Sequence, residues 1–91
     1  MKTPNDIRKL EDKLTTFLMI NDVQIGMPLS PQNHHHVLGF EYDAMSHSII
    51  VIIPDKLKRN LVAFLKKQGL ENFYSRQIME EPCFVMLIIY L

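Results

Sequence analysis

Three consecutive histidines, His34, His35 and His36, have the side chains in this chain best suited to chemistry. Histidine is a common metal ligand and changes its charge near neutral pH. In an extended chain, however, neighbouring side chains point to opposite faces, so three in a row do not converge on one ion. We therefore expect a solvent-exposed histidine loop, and a metal site there only where other elements add ligands.

Cys83, the only cysteine, is the residue that another element would bring toward His36. The spacing matches no paired-ligand pattern of known zinc sites. The sequence therefore predicts no metal or cofactor, and leaves His36 and Cys83 as the candidates should a metal bind. A single cysteine excludes an intrachain disulfide and fits a reducing compartment. Because Cys83 opens a strand that is apolar on both faces, we expect a packed, inert thiol.

No other group of residues has a spacing typical of catalysis. The three glycines are isolated, so none forms a phosphate-binding loop. The acidic pairs Glu80-Glu81 and Glu11-Asp12 are neighbours in sequence, which does not by itself give an acid–base geometry. We therefore expect a protein that is not an enzyme.

A basic surface is the second candidate site. The predicted helix Asp55–Gln68 carries four cations within about 100° of one another, opposite its apolar stripe. These are Lys56, Arg59, Lys66 and Lys67. Such a surface can bind nucleic-acid phosphates or an acidic partner protein. Because the chain has ten basic and ten acidic residues, and no aromatic residue interrupts this surface for base stacking, a protein partner is favoured.

The strand before this helix is the most clearly marked element. Ser48–Ile53 is apolar after its serine, which is typical of a strand buried on both faces. Pro54 ends the strand, and Asp55 is a suitable N-cap for the helix. Gly69 supplies a left-handed C′ residue, so Leu70 can fold back on the helix in a Schellman motif.

The remaining elements follow from the same patterns. Thr3 is a suitable cap for a first helix that ends at Ile20. The other predictions are a short strand Val23–Met27, a loop Pro28–His36, a strand Val37–Asp43, an edge strand Phe73–Glu80 and a central strand Cys83–Leu91.

These elements predict one α+β domain over residues 1–91, with the order α-β-β-β-α-β-β. It is a two-layer sandwich with an antiparallel sheet of four to five strands and both helices on one face. The wholly apolar strands should be central, giving the order 37–43, 48–53, 83–91, 73–80. The other face then exposes apolar residues, which is uncommon on a soluble monomer, so we predict a homodimer through the sheet. The alternative is that the loop Pro28–His36 or the first helix covers that face.

The element order is similar to that of the small class I type III secretion chaperones. Those proteins have a first helix, here Asp6–Ile20, then three strands, a helix, here Asp55–Gln68, and two strands. The resemblance spans nearly the whole chain and lies in the topology, without a shared motif. It implies a dimer that holds an extended segment of another protein.

The sequence thus predicts a small protein-binding or regulatory module that is homodimeric, cytoplasmic and not bound to a membrane. Its longest apolar run, Cys83–Leu91, is shorter than the roughly 20 residues of a membrane-spanning helix. The alternatives are a nucleic-acid-binding module that uses the basic helix surface, a metal- or small-ligand-binding histidine loop, and a chaperone-like protein.

Overall fold

A computed structural model of the chain describes residues 3–91, apart from the side chains of Asn33 and His34. Over these residues the elements are α1 Pro4–Ile20, β1 Pro28–Ser30, β2 Asn33–Val37, β3 Gly39–Asp43, β4 Ser48–Pro54, α2 Lys58–Lys67, β5 Phe73–Gln77 and β6 Phe84–Tyr90. A 3₁₀ turn, Asp55–Leu57, joins β4 to α2. The predicted α+β class is confirmed, with one sheet of two strands and one of four.

The four-stranded sheet has the order β3-β4-β6-β5, and every neighbouring pair is antiparallel. This is the order predicted from the sequence. The physical reason is that β4 and β6 are apolar on both faces and therefore take the two central positions. The half-polar strands β3 and β5 lie at the edges.

The core lies between the helices and one face of this sheet. Alternate residues of β4 and β6 on that face, among them Ile49, Val51 and Leu87, are fully buried. They form one cluster with fully buried leucines of both helices, such as Leu14 and Leu61. The helices run antiparallel beside each other, since the Phe17 and Phe64 ring centroids are 5.1 Å apart and Lys13 Nζ donates to Gln68 Oε1 at 3.0 Å.

Two of the predicted helix ends are confirmed. Thr3 and Asp6 form a capping box: the Asp6 N–H donates to Thr3 Oγ1 at 3.2 Å and the Thr3 N–H donates to Asp6 Oδ2 at 3.1 Å. After α2, Gly69 has φ +74°, and the Leu70 N–H donates to the Leu65 carbonyl at 2.9 Å. That is the predicted Schellman motif.

The prediction that Asp55 caps α2 is wrong. α2 begins at Lys58 and has no hydrogen bond from a side-chain cap. The Asp55 N–H instead donates to the Cys83 carbonyl at 2.8 Å, which extends the β4–β6 ladder by one residue. The 3₁₀ turn Asp55–Leu57 then leads into the helix.

The predictions for residues 23–36 are also wrong. Val23 closes α1, because its N–H donates to the Leu18 carbonyl at 2.9 Å, and the predicted strand Val23–Met27 is a turn. The predicted loop Pro28–His36 is the β1–β2 hairpin. Its prolines do not prevent pairing, since Pro28 is the first residue of β1 and Pro31 lies in the turn.

Candidate functional site

The face of the four-stranded sheet opposite the helices, which we call the back face, is the candidate binding surface. The strand register defines it. Ile50 and Ile52 of β4 lie opposite Ile88 and Met86 of β6, and Tyr74 of β5 lies opposite Ile88 on the other side of β6. By this register its side chains are Glu41, Asp43, Ser48, Ile50, Ile52, Pro54, Tyr74, Arg76, Phe84, Met86, Ile88 and Tyr90. Most of these side chains are apolar, although the helices do not cover this face.

The β1–β2 hairpin covers one end of the back face and leaves the other open. Near the hairpin, Ile52 is only 8% exposed. At the far end, Tyr74 is 48% exposed and Tyr90 38% exposed, while Ile50 and Ile88 between them are half-buried. Coverage of the back face by Pro28–His36, the alternative considered from the sequence, is therefore realised at one end of the sheet.

A cleft of about 410 Å³ lies between the hairpin and the back face. Ile50, Ile52 and Met86 line it from the sheet, and residues 35–37 of β2 line it from the hairpin. The exposed Glu41 also lines it. An apolar concavity with few polar groups is typical of a site that takes an apolar group and orients it by its polar neighbours.

The wall of this cleft is fixed by a close approach at Gly39. A Cβ on Gly39 would lie 3.0 Å from Ile25 Cγ2, and Gly39 has φ +130°. The Gly26 N–H donates to the Leu38 carbonyl at 2.7 Å, and the Leu38 N–H donates to the Met27 carbonyl at 2.9 Å. The turn that carries Ile25 is thus bonded to the residue before β3. In the sequence, Gly39 is an isolated glycine and gave no sign of this role.

His36 lies where the cleft meets two further cavities. One, of about 270 Å³, runs toward the end of β5 and is lined by Arg76, Met79 and Glu80 among others. The second, of about 440 Å³, separates the hairpin turn from Glu80 and Glu81. His36 is half-buried in strand β2 and His35 is exposed. The prediction of a solvent-exposed histidine loop is therefore wrong for His36, and the His34 side chain lies outside the described part of the structure.

The predicted thiol environment is wrong, because Cys83 is exposed. It lies in the turn before β6, whose first residue is Phe84. Across the described residues, no three or more His, Cys, Asp or Glu side chains are grouped so that they could hold a metal ion. His36 and Cys83 are thus not part of a ligand set that the structure assembles.

A second polar cluster closes the β3–β4 loop. Ser46 Oγ donates to Asp43 Oδ2 at 2.9 Å and lies 2.6 Å from Ser48 Oγ. The Tyr42 hydroxyl lies 3.0 Å from His47 Nδ1. Although serine, histidine and aspartate occur together here, the hydrogen-bond partner of His47 is a tyrosine, so the arrangement stabilises a loop and does not activate a serine.

The four cations predicted to bind a partner lie in the helix layer, on the opposite side of the sheet from the cleft. All four, Lys56, Arg59, Lys66 and Lys67, are exposed. Lys56 belongs to the 3₁₀ turn, so it does not share the α-helical spacing of the other three. Lys67 also lines the groove between the helices, beside Phe17 and Phe64.

Comparison of the chain with protein-family models, with curated proteins and with solved structures gives no match. Within residues 3–91, neither helix has the length and apolar character needed to cross a membrane.

Proposed function

We propose that this protein is a non-enzymatic protein-binding module whose back face receives an extended segment of a partner protein. The observation that carries the proposal is the cleft beside the half-exposed apolar floor. An apolar anchor side chain of the partner fills the space over Ile50 and Ile52, and the segment continues toward Tyr74 and Tyr90. Burial of apolar surface drives the association, and the affinity is what remains after the cost of ordering the segment and fixing it on the surface.

Charge at the cleft gives the partner segment a second feature. Glu41 lies on the back face, exposed, and lines the cleft. A lysine or arginine next to the apolar anchor would face this carboxylate. Such a pair at an interface contributes to selectivity and association rate more than to affinity. We therefore expect preferred segments to combine a Leu, Met or Phe anchor with a neighbouring basic residue.

The test is selection from a displayed library of random peptides about ten residues long, enough to run the length of a strand. Enriched peptides should share an apolar anchor, and their binding is then measured by fluorescence anisotropy. Ile50→Lys should weaken binding at least about tenfold, because it places a charge in the cleft. Ile20→Lys is the matched control, since Ile20 is 74% exposed on α1. Equal binding by wild type and Ile50→Lys would refute the proposal.

Nucleic-acid binding through the basic helix surface is the second candidate function. The observation that favours it is the exposure of all four cations. Nucleic-acid binding is separable from peptide binding, because the two surfaces lie on opposite sides of the sheet.

We also propose that the module is a homodimer formed through its sheet.

A further inference from the structure

β5 has one edge that no strand pairs with in the described residues 3–91. The Tyr90 N–H donates to the Asn72 carbonyl at 2.9 Å, and backbone groups alternate sides along an antiparallel strand. Tyr74 and Arg76 therefore direct their backbone groups toward β6. The residues between and beside them direct theirs to the open edge: Phe73, Ser75 and Gln77.

This edge has few of the features by which proteins prevent edge pairing. β5 contains no proline and no lysine, and its register with β6 is regular over all of its residues. Arg76 is its only charged residue. At the end of the strand, the Gln77 side-chain amide donates to the carbonyls of Pro82 and Phe84, both at 2.9 Å. The edge is thus short, regular and anchored.

We propose that β5 pairs with β5 of a second copy of this chain, antiparallel, about a twofold axis at Ser75. The inference rests on the proposed function, because it assigns the interface of the sheet-mediated homodimer. In this register Ser75 lies opposite itself, Phe73 opposite Gln77, and Tyr74 opposite Arg76. Every outward-facing backbone group of β5 gains a partner, and the two four-stranded sheets become one.

Cross-strand chemistry supports this register. Tyr74 is 48% exposed and Arg76 is exposed, and both lie on the back face. The twofold axis places the Arg76 guanidinium of each copy beside the Tyr74 ring of the other, where cation–π attraction is favourable. No like charges lie opposite each other.

The edge of β3 is unsuitable for the same contact. Self-pairing about its middle residue would place Glu41 opposite Glu41, and self-pairing about Tyr42 would place Glu41 opposite Asp43. Like charges directly opposite each other are destabilising. In these registers, like-charge repulsion therefore disfavours β3 and not β5.

Ser75→Pro tests the interface. Because the Ser75 N–H points away from β6, proline removes an outward donor and leaves the inner ladder intact. Sedimentation should show that wild type self-associates with a dissociation constant in the micromolar range, as expected of a short interface. Ser75→Pro should stay monomeric with an unchanged circular dichroism spectrum. Ser75→Thr keeps the N–H and should associate like wild type.

A cross-link tests the register. In a Cys83→Ser background, Ser75→Cys should form an intermolecular disulfide on mild oxidation, since directly opposed residues have Cα atoms about 5.5 Å apart. Glu41→Cys in the same background reports on β3 and should not cross-link. A fully monomeric wild type, a Ser75→Pro variant that dimerises normally, or a cross-link through position 41 alone would each overturn the proposal.

The β5 interface and the peptide-binding site can be refuted independently of each other. The Ser75 side chain lies on the helix-covered side of the sheet, opposite Leu87, so Ser75→Pro does not touch the back face. A monomeric Ser75→Pro variant that still binds the selected peptide supports the β5 interface and leaves the peptide site standing. A dimeric Ser75→Pro variant overturns the interface and leaves the proposed function untouched.

Discussion

Asp22 occupies the left-handed backbone region at the end of α1, with φ 60°. It is the C′ residue of a Schellman motif in which the Asp22 N–H donates to the Met19 carbonyl at 3.1 Å. A side chain with a Cβ is strained there, and a carboxylate lies unfavourably at the negative end of the helix dipole. Asp22→Gly should therefore raise the free energy of unfolding by about 1 kcal/mol.

Urea unfolding of Asp22→Gly and Asp22→Asn measures these two contributions separately. The asparagine variant removes the charge and keeps the Cβ, so we expect it to gain only a few tenths of a kcal/mol. A glycine variant no more stable than wild type would contradict the strain argument.

Gly39 and Gly26 both have positive φ, but only Gly39 is crowded. A Cβ at Gly39 meets Ile25 at 3.0 Å, whereas one at Gly26 meets nothing within 4 Å. Gly39→Ala should lower the free energy of unfolding by about 2–3 kcal/mol, and Gly26→Ala by about 1 kcal/mol. The difference between the two losses of stability, measured by thermal unfolding, reports the contact of position 39 with Ile25. Equal losses would show that Ile25 moves aside at no cost.

Two helix-capping residues were predictable from their own chemistry. Thr3 was predictable as a cap from its hydroxyl, and Gly69 from its lack of a Cβ. Asn21-Asp22 was predictable as the end of α1, but the positive φ of Asp22 was not, since a non-glycine residue in that backbone region is revealed only by the structure.

Among the described side chains of the β1–β2 hairpin, Leu29 is the buried one that joins the hairpin to the core. Leu29 is 8% exposed and belongs to the core cluster, whereas Val37 at the other side of the hairpin is 44% exposed. Leu29→Ala should cost about 2–3 kcal/mol of unfolding free energy and accelerate amide exchange across residues 28–37. Val37→Ala should change either quantity little. Equal exchange in the two variants would mean that Leu29 does not anchor the hairpin.

The hairpin also marks where sequence patterns stop being informative. β4 and β6 were predictable, because a short continuous run of apolar residues is typical of a strand that is buried on both faces. β1 and β2 are short and contain proline and histidine, so their pairing depends on packing against the rest of the molecule. The back-face cleft could not be predicted for this reason, since one of its walls is this hairpin.

Across the whole molecule, the exposed cations of the helix layer and the apolar back face lie on opposite sides of the sheet. The fold class and strand order follow from counting apolar and half-polar strands. The extent to which the back face is covered could not be predicted in this way, because it depends on the turn at residues 23–27 that directs the hairpin.

This separation predicts the outcome of a nucleic-acid test. Replacing Lys56, Arg59, Lys66 and Lys67 together by glutamine should leave peptide binding unchanged. Because the chain has ten basic and ten acidic residues and no aromatic residue interrupts the basic surface, the wild type should not shift a random oligonucleotide in electrophoretic mobility assays at low ionic strength. A shift that weakens steeply with salt and disappears in the glutamine variant would favour the nucleic-acid function instead.

The acidic edge of β3 has a consequence for growth of the assembly. In the proposed β5–β5 dimer, both outer borders of the combined eight-stranded sheet would be β3 strands bearing Glu41 and Asp43. A second such dimer would offer only its own β3 borders, so carboxylates would face carboxylates. In the proposed dimer, Glu41 and Asp43 would therefore oppose further growth of the sheet and the formation of fibres.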